Sequence, residues 1–506
     1  YFEYIRLRLV SVPCLNMNGA VLFKKNLINL IISYFGLAVG LFNTVFKPRI
    51  LTSEEIGIFS TIISLTLILQ LFTFGGSLGV LMKYYPKYKD TDEKGRFVTS
   101  VVTFSYILLG FTIIILFLIK NRILAYYNNS SLEDYFIYIP IYLVLSHTTE
   151  ICERLSRVLF VSVKSNIIRN VYFKFLNFAF LLFMFFNGIS FRTYLIFFIS
   201  LNLFTVIQLV ILAVRNLHIQ WRPLELLPDF RFLKQFFSYA FFMMISSLSG
   251  VIAGNIDKIM IGHYLSLSKT GIYAIALAIT TTMNIIFDSF ARITQPKLSE
   301  HLEQKNADGL RNAYYENLYN IIFFGVIAYT LLCVFSYDIL SILGKEYSEG
   351  SYVIVIIATG LLFNLNAGVC GEVIALSKFY KFDFYSRTSL IFIVVTSNTI
   401  FIPVFGITGA AVATASNYII YDVIKIIYAY KKFGIHPVTA RTLSFYISGS
   451  VVGIITYYIK DIFPHNLGTI AVISIFSFVI YDIILGFVFR YEFSILKKFL
   501  TKYGRH

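Results

Sequence analysis

The chain has 506 residues, 57% of them hydrophobic and 14% charged, and a formal net charge of +16. Soluble globular domains carry about 25% charged residues, so this composition excludes one of any size. The apolar residues fall in runs long enough to cross a bilayer, about 20 residues each, and backbone in lipid must pair internally, so the runs read as helices.

In chain order, residues 1–26 read as a cytoplasmic segment. They start at Tyr1, lack the apolar core of a signal peptide before residue 17, and contain Met17, the expected functional start. About fourteen spans follow, at 27–46, 56–82, 98–119, 135–160, 171–187, 194–214, 235–253, 270–293, 314–336, 351–376, 388–403, 409–429, 442–459 and 467–489. A basic cytoplasmic tail, 490–506, ends the chain. With both termini cytoplasmic, 34 of the 43 Lys and Arg residues fall on the cytoplasmic side and nine on the other. That asymmetry follows the positive-inside rule. The basic loops fix topology and face anionic lipid, so the net charge requires no nucleic acid partner.

Tyr and Phe number 36 and 52, and pairs such as Tyr84-Tyr85, Tyr126-Tyr127 and Tyr457-Tyr458 sit at expected helix ends, where aromatic belts form. The cysteines, Cys14, Cys152, Cys333 and Cys370, show no metal or redox spacing. The seven histidines do not cluster, and no P-loop sequence is present. No cofactor is expected. Transport would draw on a gradient or a partner, with proton or sodium as the candidate coupling ions.

An internal repeat runs at an offset of 214. Leu51 matches Leu265, Gly57 matches Gly271 and Ile58 matches Ile272, with Thr52/Ser266 and Phe59/Tyr273 conservative. Pro86-Lys87 and Pro296-Lys297 echo it at 210. The repeat divides the chain into an N-lobe over 27–224 and a C-lobe over 225–434, six helices each, with two further helices over 435–489. Six is even, so the lobes share orientation, as in parallel-repeat transporters with a substrate path between halves. The expected fold class is an all-α membrane protein of this plan.

Three segments carry a family resemblance. Residues 255–276, Asn-Ile-Asp-Lys-Ile-Met-Ile-Gly-His-Tyr-Leu-Ser-Leu-Ser-Lys-Thr-Gly-Ile-Tyr-Ala-Ile-Ala, resemble the signature joining helices seven and eight of polysaccharide-transporter flippases of the MOP superfamily. Residues 48–60 resemble the matching first-half segment, and 406–414, Gly-Ile-Thr-Gly-Ala-Ala-Val-Ala-Thr, resemble the turn into helix twelve. The resemblance implies a MATE-like two-lobed fold working by alternating access. It also implies a flippase for undecaprenyl-pyrophosphate-linked oligosaccharide, such as O-antigen units, in a bacterial inner membrane. Its partners would be that lipid-linked oligosaccharide, membrane lipids and polysaccharide polymerase machinery. His263 stands where the first half has Arg49, so the repeats differ chemically there.

Charge inside a membrane is expensive and marks functional candidates. Arg49 matches the family segment, and its planar fork suits a diphosphate; the alternative is an interfacial, snorkelling arginine beside Pro48. Asp257 and Lys258 follow the seventh span and are candidates for gating and substrate contact, or for a local ion pair that caps the helix. Glu150/Arg154 and Glu153/Arg157 stand at i, i+4 on the fourth span, where each pair can neutralise itself. Glu150, the deepest, is the coupling candidate, and Arg154 a substrate contact. Asp288/Arg292 repeat the spacing on the eighth span, with Asp288 for coupling and Arg292 for substrate. Asp422/Lys425 read as structural, and Asn364 and Asn366 as interhelical hydrogen-bonding groups.

A cation-coupled multidrug exporter of the same superfamily is the main alternative; it would favour an acidic interior, whereas the candidates here include arginine at least as often as acid. A membrane-embedded glycan polymerase would need a large periplasmic loop, and the longest expected here is only about 15 to 17 residues. A non-transporting scaffold fits poorly with intramembrane charge.

Overall fold

A computed structural model describes residues 19–88, 91, 93–127, 131–159, 161–217, 230–464 and 466–487. Met17, Cys14, the lobe boundary near residue 225 and the basic tail lie outside them. Among the described residues there is no strand, and eleven helical stretches have the length and hydropathy to cross a membrane. The chain is a multi-pass membrane protein.

Every expected span overlaps a helix, and several boundaries move. The first helices are α1 (Gly19–Phe46), α2 (Ser53–Phe74), α3 (Ser77–Tyr88), α4 (Lys94–Leu118), the short α5 (Lys120–Tyr127) and α6 (Tyr138–Val158). The expected span 56–82 is thus two helices. Gly75 (φ 48°) and Gly76 (φ 80°) both adopt left-handed backbone, which ends α2 and restarts the chain as α3. Next come α7 (Ser162–Asn187), α8 (Phe191–Leu217) and α9 (Phe230–Tyr264). Helix α7 starts nine residues earlier than the sequence suggests, and its turn at Ile167–Tyr172 is π-helical. Helix α9 continues past 253, so Asp257 and Lys258 lie within it rather than after it.

The remaining helices are α10 (Leu267–Thr280), α11 (Asn284–Glu303), α12 (Ala307–Leu343), α13 (Ser351–Ala367), α14 (Cys370–Leu376), α15 (Tyr380–Phe433), α16 (Ala440–Lys460) and α17 (Leu467–Phe487). Gly368, at φ 55°, separates α13 from α14 inside the expected span 351–376. Helix α15 has 54 residues, about 80 Å at 1.5 Å each, more than twice the roughly 30 Å hydrocarbon core. Pro403 and the left-handed Gly406 (φ 63°) break it between the two expected spans it contains.

The described residues form two compact units. The first draws on Tyr1–Asn43, Ser77–Phe104 and Val144–Asp229. In it, Gly36 and Gly40 of α1 face α7. A Cβ on Gly36 would lie 2.5 Å from the Asn170 carbonyl oxygen, and one on Gly40 would lie 3.5 Å from Lys174 Nζ. This is the small-residue packing that membrane helices use to approach closely.

The second unit draws on Thr44–Gly76, Ser105–Leu143 and Phe230–His506, and it contains segments of both repeats. A hydrophobic core lies among α11, α12, α14, α15, α16 and α17, around Tyr314, Leu318, Phe323 and Tyr481. At the other repeat segment, α2 crosses α10. A Cβ on Gly57 would lie 1.7 Å from the Leu267 carbonyl oxygen, and one on Gly271 would lie 1.9 Å from that of Ser53. The contact is reciprocal. Each glycine of the matched pair meets the carbonyl four residues before its counterpart. The helix starts correspond as well. Thr52 caps α2, accepting from Glu55 N–H at 3.3 Å while the Glu55 carboxylate accepts from Thr52 N–H at 2.9 Å. Ser266, 214 residues on, caps α10 by accepting from Lys269 N–H at 3.2 Å. Gly57→Ala or Gly271→Ala should therefore cost about 1–3 kcal/mol through overpacking. Thermal unfolding in detergent should show a lowered midpoint for both, and none for Gly110→Ala, whose Cβ would meet nothing within 4 Å.

Candidate functional site

Among the described residues, clusters of polar side chains form inside the helices, and three of them hold residues singled out in the sequence. The first, in the N-terminal unit, follows α7. Asn166, Arg169, Asn170, Lys174 and Asn177 recur at helical spacing along one stripe. Asn166 donates to Ser33 Oγ at 3.2 Å. Asn177 donates to Asn43 Oδ1 at 2.9 Å, and Asn43 donates to the Lys174 carbonyl at 3.0 Å. The π-helical turn carries Arg169, which meets Glu153 at 2.5 Å and Glu150 at 3.1 Å. The expected pairs Glu150/Arg154 and Glu153/Arg157 do form, but at 3.8 and 3.9 Å. Arg169 is the closer partner of both acids. Sequence reasoning missed it because Arg169 falls between the expected spans 135–160 and 171–187. The polar stripe at i, i+3 and i+4 spacing was the readable signal. Lys174, half-buried within the span, has no carboxylate at ion-pair distance and no hydrogen bond from its ammonium among the described residues.

The second cluster surrounds α9. Asp257 is buried and accepts from the fully buried Tyr273 hydroxyl at 2.6 Å, which also lies 3.3 Å from Thr414 Oγ1. Lys258 gives it a backbone N–H, to Oδ1 at 2.8 Å, but not its charge. Its ammonium donates to Asn255 Oδ1 at 3.0 Å, and Ser64 Oγ reaches the same oxygen at 3.3 Å. The local Asp257–Lys258 ion pair read from the sequence is therefore replaced by two separate contacts, because successive residues on a helix point about 100° apart and do not face each other. At the repeat offset, Gly36, Gly40 and Asn43 match Gly250, Gly254 and Asp257. Gly36 and Gly40 are packed, whereas Gly250 and Gly254 are exposed and a Cβ there would meet nothing within 4 Å.

The third cluster lies on α13 and α15. Asp422, fully buried, pairs with Lys425 at 2.7 Å and accepts from Asn364 Nδ2 on both oxygens, at 3.2 and 2.9 Å. Asn364 thus makes the interhelical bond expected of it. Asn366 does not, as its buried side-chain oxygen has no partner.

Asp288 and Arg292 are both exposed on α11 and form no ion pair, in contrast to the expected pairing; exposed i, i+4 pairs gain little in high dielectric. Arg49 is exposed at the end of the 3₁₀ turn Lys47–Arg49, over the buried Pro48, with no partner among the described residues. Next to it Lys47 lies 4.1 Å from the Phe59 ring centroid, and burial lowers its pKa from 10.5 to about 8. His263, at the position equivalent to Arg49, stacks on Tyr126 with centroids 3.7 Å apart. A cavity of about 490 Å³ opens between α12 and α16, lined by Tyr329, Thr330, Cys333, Tyr446 and Tyr457; none of the candidate charges lines it. No set of three metal-ligating side chains converges among the described residues.

The helical order is that of a multi-helix membrane fold. It matches the lipid II flippase MurJ in an inward closed conformation, with a TM-score of 0.74 and 15% identity over 92% of this chain and 100% of that one. It also matches an inward-facing multidrug resistance MATE family transporter of the MOP superfamily, with a TM-score of 0.65 and 11% identity over 81% of this chain and 98% of that one. The profile of the polysaccharide biosynthesis protein family covers residues 48–352, and the chain belongs to that family. Two curated relatives align over part of it. The probable low-salt glycan biosynthesis flippase Agl15 of Haloferax volcanii is 26% identical over 200 residues, 39% of this chain and 42% of the relative. The capsular polysaccharide biosynthesis protein CapF of Staphylococcus aureus is 23% identical over 201 residues, 39% of this chain and 50% of the relative. The aligned stretch spans half or less of each relative's length.

Two measurements probe the site. Arg169→Gln should destabilise the protein by about 1–2 kcal/mol, against under about 0.5 for Arg154→Gln or Arg157→Gln, read as unfolding midpoints. Lys47 should lose its charge as pH rises through about 8, so any anion affinity it supports should weaken between pH 7 and 9. Lys47→Arg should remove that pH dependence in a binding titration.

Proposed function

We propose that the protein is a flippase that carries undecaprenyl-pyrophosphate-linked oligosaccharide, an O-antigen or other surface polysaccharide repeat unit, across a bacterial inner membrane. It does so by alternating access of two six-helix lobes, with both termini cytoplasmic. The observation that carries this reading is the family match over 48–352, which includes both repeat segments and the candidate residues Arg49, Glu150, Arg154, Asp257, Lys258, Asp288 and Arg292. The protein is a transporter rather than an enzyme, and the polysaccharide polymerase machinery is its downstream partner.

The physical problem is to pass a diphosphate and a sugar chain through hydrocarbon while the polyprenyl tail stays in lipid. The balance of charge favours an anionic cargo. Asp257 is engaged by Tyr273, Asp338 by Lys460 and Asp422 by Lys425, and the part-buried Glu150 and Glu153 by Arg169. Arg49, Lys174, Lys258 and Arg292 have no carboxylate at ion-pair distance among the described residues. Arg49 is the candidate for bidentate contact with diphosphate, and Lys174 joins it as a cation that the sequence reading did not single out. Proton or sodium coupling through Glu150, Asp257 or Asp288 completes the cycle. A multidrug exporter shares the fold, but its cationic cargo would meet these uncommitted cations with repulsion.

The test is a leaflet assay. In a deletion strain without a second flippase, lipid-linked repeat units should accumulate on the cytoplasmic side, and the wild-type gene should relieve this. Arg49→Ala should fail to relieve it at normal expression, by roughly tenfold or more in rate for a lost charge-assisted contact. Units reaching the periplasm at the normal rate in the deletion would sink the flippase reading.

A further inference from the structure

We infer that the outer end of the protein is held shut by two reciprocal clasps, one from each repeat, and that opening toward the outside requires both to release. This rests on the alternating-access reading and orientation proposed above. Each clasp is a short segment that follows the third long helix of its repeat and grips a helix of the other repeat. All of these segments lie within the second compact unit.

The first clasp is the 3₁₀ segment Lys345–Gly350, after α12. It reaches back to the start of α2. Ser53 donates twice to Glu346, from its N–H to Oε1 at 3.3 Å and from its hydroxyl to Oε2 at 2.8 Å. A carboxylate over a helix N-terminus gains from both the free N–H groups and the helix dipole. Tyr347, fully buried, donates to the Leu51 carbonyl at 3.5 Å. The same segment holds α10 through the Glu349–Lys269 ion pair, and the two helix starts touch directly, Ser53 Oγ to Ser268 Oγ at 2.7 Å.

The second clasp is α5, after α4, and it grips the end of α9. The Tyr127 ring covers Gly262 so closely that a Cβ there would lie 2.7 Å from Cε1. Tyr126 stacks on His263 at 3.7 Å between centroids, and its carbonyl oxygen lies 2.5 Å from His263 Nδ1.

One feature separates closure from folding. Helix α2 has its own capping box, Thr52 with Glu55, and α10 has its own cap in Ser266. Glu346 is thus redundant for starting either helix, while it ties α2 to a segment almost 300 residues away. It can let go without fraying the helices it holds.

The experiment uses the full chain with its native cysteines replaced by serine and a Ser268→Cys reporter. A membrane-impermeant maleimide is added to whole cells. Glu346→Ala and Tyr127→Ala should each raise the labelling rate roughly tenfold, the effect of losing about 1.5 kcal/mol from the closed state, and the double variant should exceed either. In a Ser53→Cys/Ser268→Cys chain, oxidative cross-linking should be rapid and should slow when Glu346→Ala is added. Unchanged labelling in both single variants, or cross-linking unaffected by Glu346→Ala, overturns the clasps. Labelling of Ser268→Cys only from the cytoplasmic face, in inverted vesicles, overturns their outer placement. A variant that fails to fold is replaced by Glu346→Gln and Tyr127→Leu, read the same way. Because none of these readouts requires a glycan, increased labelling alongside a negative leaflet assay would sustain the clasps and reject the flippase.

Discussion

The crossing of α2 and α10 at Gly57 and Gly271 is the contact on which the second unit is organised. In lipid, apolar side chains gain little by leaving one hydrocarbon for another, so helices associate through close backbone approach and hydrogen bonds. With no Cβ on either glycine, each backbone lies against the other's carbonyl. That approach brings two capped helix starts side by side, sets Ser53 against Ser268, and leaves N–H groups within reach of Glu346. Asp257 and Tyr273 then meet on the flanking α9 and α10. A side chain at the crossing would displace the whole set together.

Beyond that contact, the interior is organised by which charges are consumed. A carboxylate in a low-dielectric interior is tolerated only when hydrogen-bonded or paired, and Asp257, Asp338 and Asp422 meet that condition with tyrosine or lysine. Several cations are left with neutral partners or none. Lys258 rests on an asparagine, and Lys174 lies over Gly40. An ammonium held this way is desolvated without being neutralised, which favours an anionic ligand over a cationic one. The two repeats share a backbone plan but differ in this chemistry: Asn43 and Phe59 of the first correspond to Asp257 and Tyr273 of the second.

Much of this was legible in the sequence. Composition and run length gave the membrane class and a helix for each expected span, and the offset of 214 gave the glycine pair that the fold brings into contact. Helix ends were less legible where glycine intervened: Gly75–Gly76 and Gly368 break apolar runs without a change in hydropathy. Charge partners were least legible. The i, i+4 rule found Glu150/Arg154 and Glu153/Arg157, yet Arg169, from another helix and a π-helical turn, is the nearer partner of both acids. It likewise suggested Asp288/Arg292, which stay apart. Spacing along one helix shows which groups can meet, but tertiary neighbours determine which do. The local ion pair read for Asp257 and Lys258 does not form, and the fold gives the carboxylate and the ammonium separate side-chain partners on α10 and α9.

The reciprocal crossing also bears on how the two halves could diverge. At Gly57 and Gly271, a change in one copy presses on the backbone of the other, so neither half can drift independently there. Away from that axis no such veto operates, and the copies have separated: arginine at 49 against histidine at 263, an open glycine face at 250 and 254 against a filled one at 36 and 40. The matched positions thus constrain each other at the axis, and the asymmetry between the repeats lies on its flanks.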